Sequence, residues 1–189
     1  MGQIKVLHIL FIVMTAILPA CSSQPVKEQD LPEGDVSKAH GAIALLKQKE
    51  KLVPFFNDAD AYAIFPNAGR LGLGFGAAYA KGLVFQDDKI IGKTAMTQVN
   101  VGFNLGGQWY RQIVFFKTPA VLEHFKKGNL EMGGQANAAL ITLGGGATPG
   151  FFSDVAIFTE LRGGLLIEVS IGGHYYSFSP IESEFNNNE

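Results

Sequence analysis

The chain has 189 residues, of which 47% are hydrophobic, 23 are Gly and 15 are Phe, and its formal net charge is −2. This length is enough for one domain with a hydrophobic core. The small negative charge argues against nucleic acid as a partner and against broad electrostatic attraction to anionic surfaces.

The N-terminus has the features of a bacterial lipoprotein signal. Lys5 precedes an apolar run over residues 6–18, which has the length of a signal-peptide core and is too short to span a membrane comfortably. Leu18, Ala20 and Cys21 follow in a pattern that looks like a lipobox, whose cysteine is acylated and becomes the first mature residue. We therefore expect a signal peptide over residues 1–20. An ordinary secretory signal and a buried helix are the alternatives.

Acylation of Cys21 has two consequences for function. Cys21 is the only cysteine, so no thiol would remain for a disulfide, a metal site or a nucleophile. Two or three acyl chains would also hold the protein firmly at a membrane, where one chain is marginal. Ser22 follows the cysteine, and in the usual enterobacterial sorting pattern this residue indicates the outer membrane, with the domain facing the periplasm.

The next elements are predicted to be a tether and a helix. Residues 21–34 are mostly polar and lack periodicity, as expected of a tether. Asp35 can cap an amphipathic helix that continues to about Leu52. Its apolar residues recur at three- and four-residue spacing: Ala39, Ala42, Ile43 and Leu46. Pro54 ends this helix or starts a short second one over residues 55–61.

A period-two pattern over residues 71–79 predicts the central β-strand. Large apolar residues alternate there with small ones: Leu71, Leu73, Phe75 and Tyr79 with Gly72, Gly74, Gly76 and Ala78. A face with almost no side chains lets another backbone approach closely. We therefore expect a tight contact or a strongly coiled sheet, and disfavour a ligand-cradling glycine loop because no helix follows.

The remainder of the chain is predicted to be rich in strands. Residues 86–89 form a polar turn, residues 90–116 form strands that break or bulge at Gly106 and Gly107, and Thr118 with Pro119 opens a helix that Gly128 closes. Residues 161–164 look like a hairpin turn, and residues 183–189 are a polar, Asn-rich tail that we expect to be disordered. We expect an α+β fold over residues 35–182, with a curved or barrel-like antiparallel β-sheet, an N-terminal amphipathic helix and a further helix between strand groups.

The search for catalytic chemistry finds little. The sequence contains none of the HExxH, GxSxG and CxxC motifs. His40, His124 and His174 are far apart along the chain. We expect His40 and His124 to be surface residues of helices and His174 to make a structural hydrogen bond. We therefore predict no enzymatic activity, no cofactor and no metal ligands. A site assembled by folding, for instance from Glu160, Glu168 and His174, remains the enzyme alternative.

Two groups of residues are candidates for lipid contact. Phe151 and Phe152 follow a Gly- and Pro-containing loop and could form an exposed hydrophobic tip, although a loop that plugs the core is the other interpretation. Lys47, Lys49 and Lys51 near the end of the first helix are the nearest approach to a basic cluster, which Glu50 interrupts.

The order and spacing of several short motifs resemble those of the SYLF domain family. The resemblance covers about residues 35–182, and it is carried by residues 61–66, residues 74–79, residues 105–108, residues 115–117 and the closing residues 163–173. Ala77 and Ala80 depart from the family at positions where Gly is common. The resemblance implies lipid binding without catalytic residues. Some eukaryotic members bind actin, which we do not expect of an exported bacterial protein.

These observations predict a non-enzymatic, membrane-anchored lipid-binding lipoprotein of the bacterial cell envelope. Its partners would be a phospholipid or lipid-like ligand and the membrane that holds acylated Cys21. The main alternative is a structural or protein-interaction module that binds no lipid.

Overall fold

The computed structural model describes residues 26–27, 31–128, 132–133, 140–142 and 154–182. The signal segment, Cys21, the pair Phe151 and Phe152, and the tail lie outside these ranges, so the predictions made for them stay predictions. The elements, in chain order, are β1 (Val26–Lys27), α1 (Glu33–Lys47), a 3-10 helix (Glu50–Leu52), α2 (Val53–Asp58), β2 (Ala61–Gln86), β3 (Lys89–Phe116), α3 (Pro119–Lys126), β4 (Met132–Gly133), β5 (Leu140–Thr142) and β6 (Val155–Glu182).

Three long strands dominate the sheet. β2 pairs antiparallel with β3, and β3 pairs antiparallel with β6. The short strands all add to β6, with β1 and β5 parallel to it and β4 antiparallel. The described strands follow the open order β1-β6-β3-β2. Together with the helices, this mainly antiparallel sheet confirms the predicted α+β class.

The turn between β2 and β3 forms where the polar residues predicted it. Gln86 pairs with Lys89, so the loop has two residues, Asp87 and Asp88, and both have positive φ (49° and 59°). Two central residues with positive φ match the right-handed twist of the flanking strands. Asp tolerates this backbone region better than most residues do.

Strand β2 turns back so far that its two ends touch. The rings of Tyr62 and Phe85 stack with centroids 5.5 Å apart, although the strand between them would span about 75 Å if it were straight. Gly82 permits the contact, because a Cβ there would overlap the carbonyl oxygen of Ile64. The pairing of β2 with β3 shifts between Leu73 and Phe75, and Gly74 between them has a φ of 78°, which glycine adopts without steric cost.

Large apolar side chains are buried on both faces of the sheet near the strand ends. On one face α1 and α2 cover the first group: Tyr62, Ile64, Leu83, Phe85, Ile113, Phe115 and Phe158. On the other face α3 contributes Leu122 and Phe125 to the second group: Phe65, Val84, Met96, Tyr110, Val114, Phe116 and Tyr176. Both faces of a central sheet are thus packed where helices are available to cover them.

The helices differ from the predictions at their boundaries. α1 begins at Glu33 with Pro32 as its N-cap and ends at Lys47, so Asp35 lies in the first turn, where its negative charge favours the helix dipole. Lys49 has an extended backbone and separates α1 from the 3-10 helix. The second helix runs from Val53 to Asp58, so it starts two residues and ends three residues earlier than predicted. α3 begins directly after Thr118, as predicted.

Two predicted breaks in the strands are wrong. β3 runs without interruption through Gly106 and Gly107, because both pair with residues of β2 and β6. β6 likewise runs through residues 161–164, where a hairpin turn was expected. Gly163 pairs with Trp109 and Leu161 with Tyr110, so the extra residue Arg162 forms a bulge and not a turn.

Candidate functional site

The middle of the long strands presents its large apolar side chains to solvent. We call this surface the apolar strip, and its members are 48–77% exposed: Leu71, Leu73, Phe75 and Tyr79 of β2, and Val99, Leu105 and Trp109 of β3. Directly paired residues of antiparallel strands lie on the same face. The register pairs Leu73 with Leu105 and Gly69 with Trp109, so the strip lies on one face of the sheet.

The small residues of the same pattern lie on the opposite, more buried face. Ala78 and Ala80 are buried there, beside Met96 and Tyr110. The alternation was therefore predicted correctly, but it orients the large side chains outward. Among the Phe residues of the chain, Phe55, Phe65, Phe115 and Phe116 are buried, whereas Phe75 is 69% exposed.

A groove of about 950 Å³ adjoins the apolar strip. It lies between the start of α1 and two stretches of β2, one on each side of the strand's bend. Its lining is mostly apolar and includes Leu31, Leu71, Tyr79, Leu83 and Trp109. Leu71, Tyr79 and Trp109 belong to both the groove and the strip, so the two surfaces are continuous.

Three lysines line the groove: Lys38, Lys81 and Lys93. Arg70 also borders the groove, but its guanidinium contacts Gln98 and Tyr110 on the opposite face of the sheet. Among the described lining residues, the one carboxylate is that of Asp35, whose Oδ1 lies 3.7 Å from the Lys38 Nζ. The groove therefore combines an apolar lining with a net positive charge. This is the combination that a ligand with an apolar chain and an anionic headgroup requires.

The neighbouring strand β3 holds Arg70 in place. Its Nη2 donates a hydrogen bond to the Gln98 Oε1 at 2.6 Å, and its guanidinium lies over the Tyr110 ring at 5.5 Å from the centroid. Lys81 and Lys93 make no ion pair with any residue in the part of the chain that the structure describes. Arg70 is thus held on the face opposite the strip, while the two lysines remain available to a ligand.

The predicted lysine cluster lies elsewhere. The Lys47 Nζ lies 3.5 Å from the Asp88 Oδ1 and over the Phe56 ring. The Lys49 Nζ lies 3.2 Å from the Glu160 Oε1, and Lys51 is exposed in the 3-10 helix. These lysines are not part of the groove lining, and two of them fasten the end of α1 to the sheet.

The residues of the enzyme alternative have structural surroundings. The Glu160 carboxylate is within 3.2 Å of Lys49 and within 3.1 Å of the Arg111 Nε. The His174 ring stacks on the Tyr176 ring, with the two centroids 6.4 Å apart. Burial raises the pKa of Tyr176, and the electrostatic effect of the neighbouring Tyr110 raises it further. The side chain of Glu168 lies outside the described residues. Within the described ranges, no three His, Cys, Asp or Glu side chains are grouped to hold a metal ion.

No family model, curated protein or solved structure matches the chain. The resemblance to the SYLF domain family therefore stays a prediction from the motifs. Among the helices that the structure describes, none is long and apolar enough to cross a membrane.

Proposed function

We propose that the protein is a non-enzymatic lipid-binding module of the bacterial cell envelope, anchored by acyl chains on Cys21. The observation that carries the proposal is the groove, in which apolar residues and cationic side chains line the same concave surface. The lipoprotein signal and the resemblance to the SYLF domain family support it. The predicted location is the outer membrane, with the domain facing the periplasm.

The groove suggests how an amphiphile would be bound. An anionic headgroup would receive charge-assisted hydrogen bonds from Lys81 and Lys93. An acyl chain would lie against Leu71, Tyr79 and Trp109, and each methylene removed from water contributes about 0.8 kcal/mol. Several buried methylenes would thus exceed the contribution of a single exposed ion pair, which is below about 1 kcal/mol.

The curvature of the sheet is part of this proposal. In a flat sheet the two stretches of β2 that line the groove would be far apart. The bend at Gly74 brings them close together, so that they form opposite walls of the groove. We propose that an open, curved sheet, and not a closed barrel, keeps this groove accessible from outside. The headgroup contact is assigned to Lys81 and Lys93 in place of Lys47 and Lys49, because the latter two are engaged by Asp88 and Glu160.

The test is lipid retention by the full-length protein. The protein is purified from the bacterial envelope in a mild detergent, and native mass spectrometry with lipid extraction measures bound lipid per chain. We expect about one non-covalent anionic lipid per chain, and a loss of at least five-fold in the variant with both Lys81→Glu and Lys93→Glu. A wild-type protein that carries no lipid beyond its own acyl chains would contradict the proposal.

A matched variant controls for the change in net charge. Lys89→Glu with Lys127→Glu alters the charge equally, and both residues are exposed and outside the groove lining. We expect this control to retain as much lipid as the wild type. Equal losses in both variants would show that overall charge, and not the groove, determines lipid retention.

A further inference from the structure

The apolar strip is larger than the groove requires. Leu73 and Phe75 are 77% and 69% exposed and are absent from the groove lining. They flank Gly74, where the pairing of β2 with β3 shifts. Contiguous exposed apolar residues of this kind usually mark an interaction surface. No described side chain covers them, so their exposure needs a reason other than ligand binding in the groove.

We propose that the apolar strip docks onto an anionic lipid bilayer, with Leu73 and Phe75 as its most deeply inserted side chains. The inference rests on the proposed function, since the groove would take its ligand from that same bilayer. Leu71, Tyr79 and Trp109 join the strip to the groove. A lipid can therefore pass from the bilayer to the groove along an apolar surface without crossing water.

The chemistry of the strip and its border favours a bilayer. The members of the strip include no charged side chain, so none has to be transferred from water into hydrocarbon. Trp109 and Tyr79 have the amphipathic rings that are enriched at membrane–water interfaces. Lys81 and Lys93 lie beside the strip in the groove and can meet anionic headgroups, which attract lysines near a membrane surface.

Lys81 and Lys93 beside the apolar strip disfavour a second copy of the chain as the occupant. Two copies that met through this face would bring their groove cations towards each other, and like charges that lose water repel strongly. The irregular pairing at Gly74 also bends the strand locally, which reduces its fit to a flat partner sheet. A bilayer is fluid and anionic, so it can accommodate both the curvature and the charge.

Trp109 provides the measurement, because it is the only Trp in the chain and is 65% exposed within the strip. Full-length protein is reconstituted into vesicles of phosphatidylcholine and phosphatidylglycerol whose acyl chains carry bromine. The acyl anchor keeps the protein on the vesicle in every variant, so membrane attachment is not the readout. We expect Trp109 emission to shift to the blue and to be quenched by the brominated chains, and to be protected from aqueous acrylamide.

Two double variants separate insertion from other causes of quenching. Leu73→Ser with Phe75→Ser should reduce the quenching of Trp109 by at least half, without loss of folding, because both side chains are exposed. Leu45→Ser with Val53→Ser is the matched control, since these residues are 48% and 43% exposed and lie outside the strip. It should leave the quenching unchanged. Replacement of phosphatidylglycerol by phosphatidylcholine should also weaken the quenching.

The outcomes distinguish the inference from the proposed function. If Trp109 stays accessible to acrylamide on the vesicles while one lipid per chain is retained, docking is wrong and lipid binding stands. If quenching depends on Leu73 and Phe75 but no lipid is retained, docking stands alone. Quenching that the double variant leaves intact would place the lipid in the groove only and overturn docking. A blue shift without vesicles, with a doubled mass, would identify a second copy as the occupant.

Discussion

The ends and the middle of the long strands follow the same alternating pattern, but their large apolar side chains are buried at the ends and exposed in the middle. At the ends, Phe65, Phe85 and Phe115 are fully buried, whereas in the middle Leu73 and Phe75 are largely exposed. The difference lies in what covers each region. The helices cover the strand ends, and no described element covers the middle. Alternation therefore determines which residues share a face, but only a packing partner determines whether that face becomes core or an interaction surface.

The largest expected effect is a difference in the free energy of unfolding between two substitutions of Phe, one in each region. Phe115→Ala would remove a ring that contacts Phe55, Phe56 and Phe158, and we expect a loss of about 3–5 kcal/mol in the free energy of unfolding. Phe75→Ala should cost less than about 0.5 kcal/mol, as exposed substitutions usually do. Chemical denaturation of both variants measures the difference. Equal losses would show that Phe75 is packed in solution and that the strip is not free.

The next expected effect compares two glycines. Gly82→Ala would place a methyl group against the Ile64 carbonyl oxygen, where the two ends of β2 meet, and overpacking of this kind costs about 1–3 kcal/mol. Gly163→Ala is the control, because a Cβ there has no neighbour within 4 Å. We expect thermal unfolding to show a clear decrease for the first variant and little change for the second. A stable Gly82→Ala protein would mean that the ends of β2 are further apart than the structure places them.

A third prediction concerns the ion pairs that join α1 to the sheet. Glu160→Gln removes the negative charge shared by Lys49 and the buried Arg111. Removing one partner of a largely buried charged contact costs about 1–3 kcal/mol, and we expect a loss in the lower part of that range because the Glu160 side chain is still 23% exposed. Glu123→Gln, at the exposed pair with Lys126, should show no measurable loss in the same denaturation experiment. Similar curves for both variants would contradict the structural role of Glu160.

Local residue chemistry predicted the parts of the fold that depend on few neighbours. Asp87 and Asp88 form the expected turn, and Thr118 and Gly128 bound the expected helix. The strand break predicted at Gly106 and Gly107 was wrong, because these residues pair with β2 on one side and β6 on the other. The two partner strands supply the backbone hydrogen bonds that the glycines would otherwise lack. Gly163 and its neighbours were misread for the same reason. Partner strands that are distant in sequence override local turn preference.

The groove was missed even though part of its signal was present. The predicted turn at residues 86–89 pairs Gln86 with Lys89, but the register shift between Val84 and Phe85 is also needed to bring residue 83 opposite residue 93 and residue 81 opposite residue 95. Only this shift places Lys81 and Lys93 close together on one face. The contribution of Lys38 depends on where α1 packs, and the bend at Gly74 decides that both stretches of β2 become walls. Lys47 and Lys49 lie close to Lys51 in sequence. In the folded protein, however, Lys47 pairs with Asp88 and Lys49 pairs with Glu160, outside the groove.

The smallest expected effect is a pH dependence that originates in the packed region. Burial, with a smaller contribution from the negative charge of Asp88, raises the pKa of Tyr62 to about 12. Below about pH 10 the phenol is neutral in the folded and the unfolded chain. Between about pH 10 and 12 the unfolded chain releases this proton while the folded chain retains it, so the free energy of unfolding falls as the pH rises.

Tyr62→Phe keeps the ring that stacks on Phe85 and removes the ionisable group, so melting temperatures measured from pH 8 to pH 11 should fall less steeply than those of the wild type. Some slope should remain, because burial also raises the pKa of Tyr176. Tyr79→Phe, at an exposed ring of the apolar strip, is the control and should follow the wild-type curve. If Tyr79→Phe flattened the curve and Tyr62→Phe did not, the middle of the strands would be the packed region, and the assignment of core and interaction surface would be reversed.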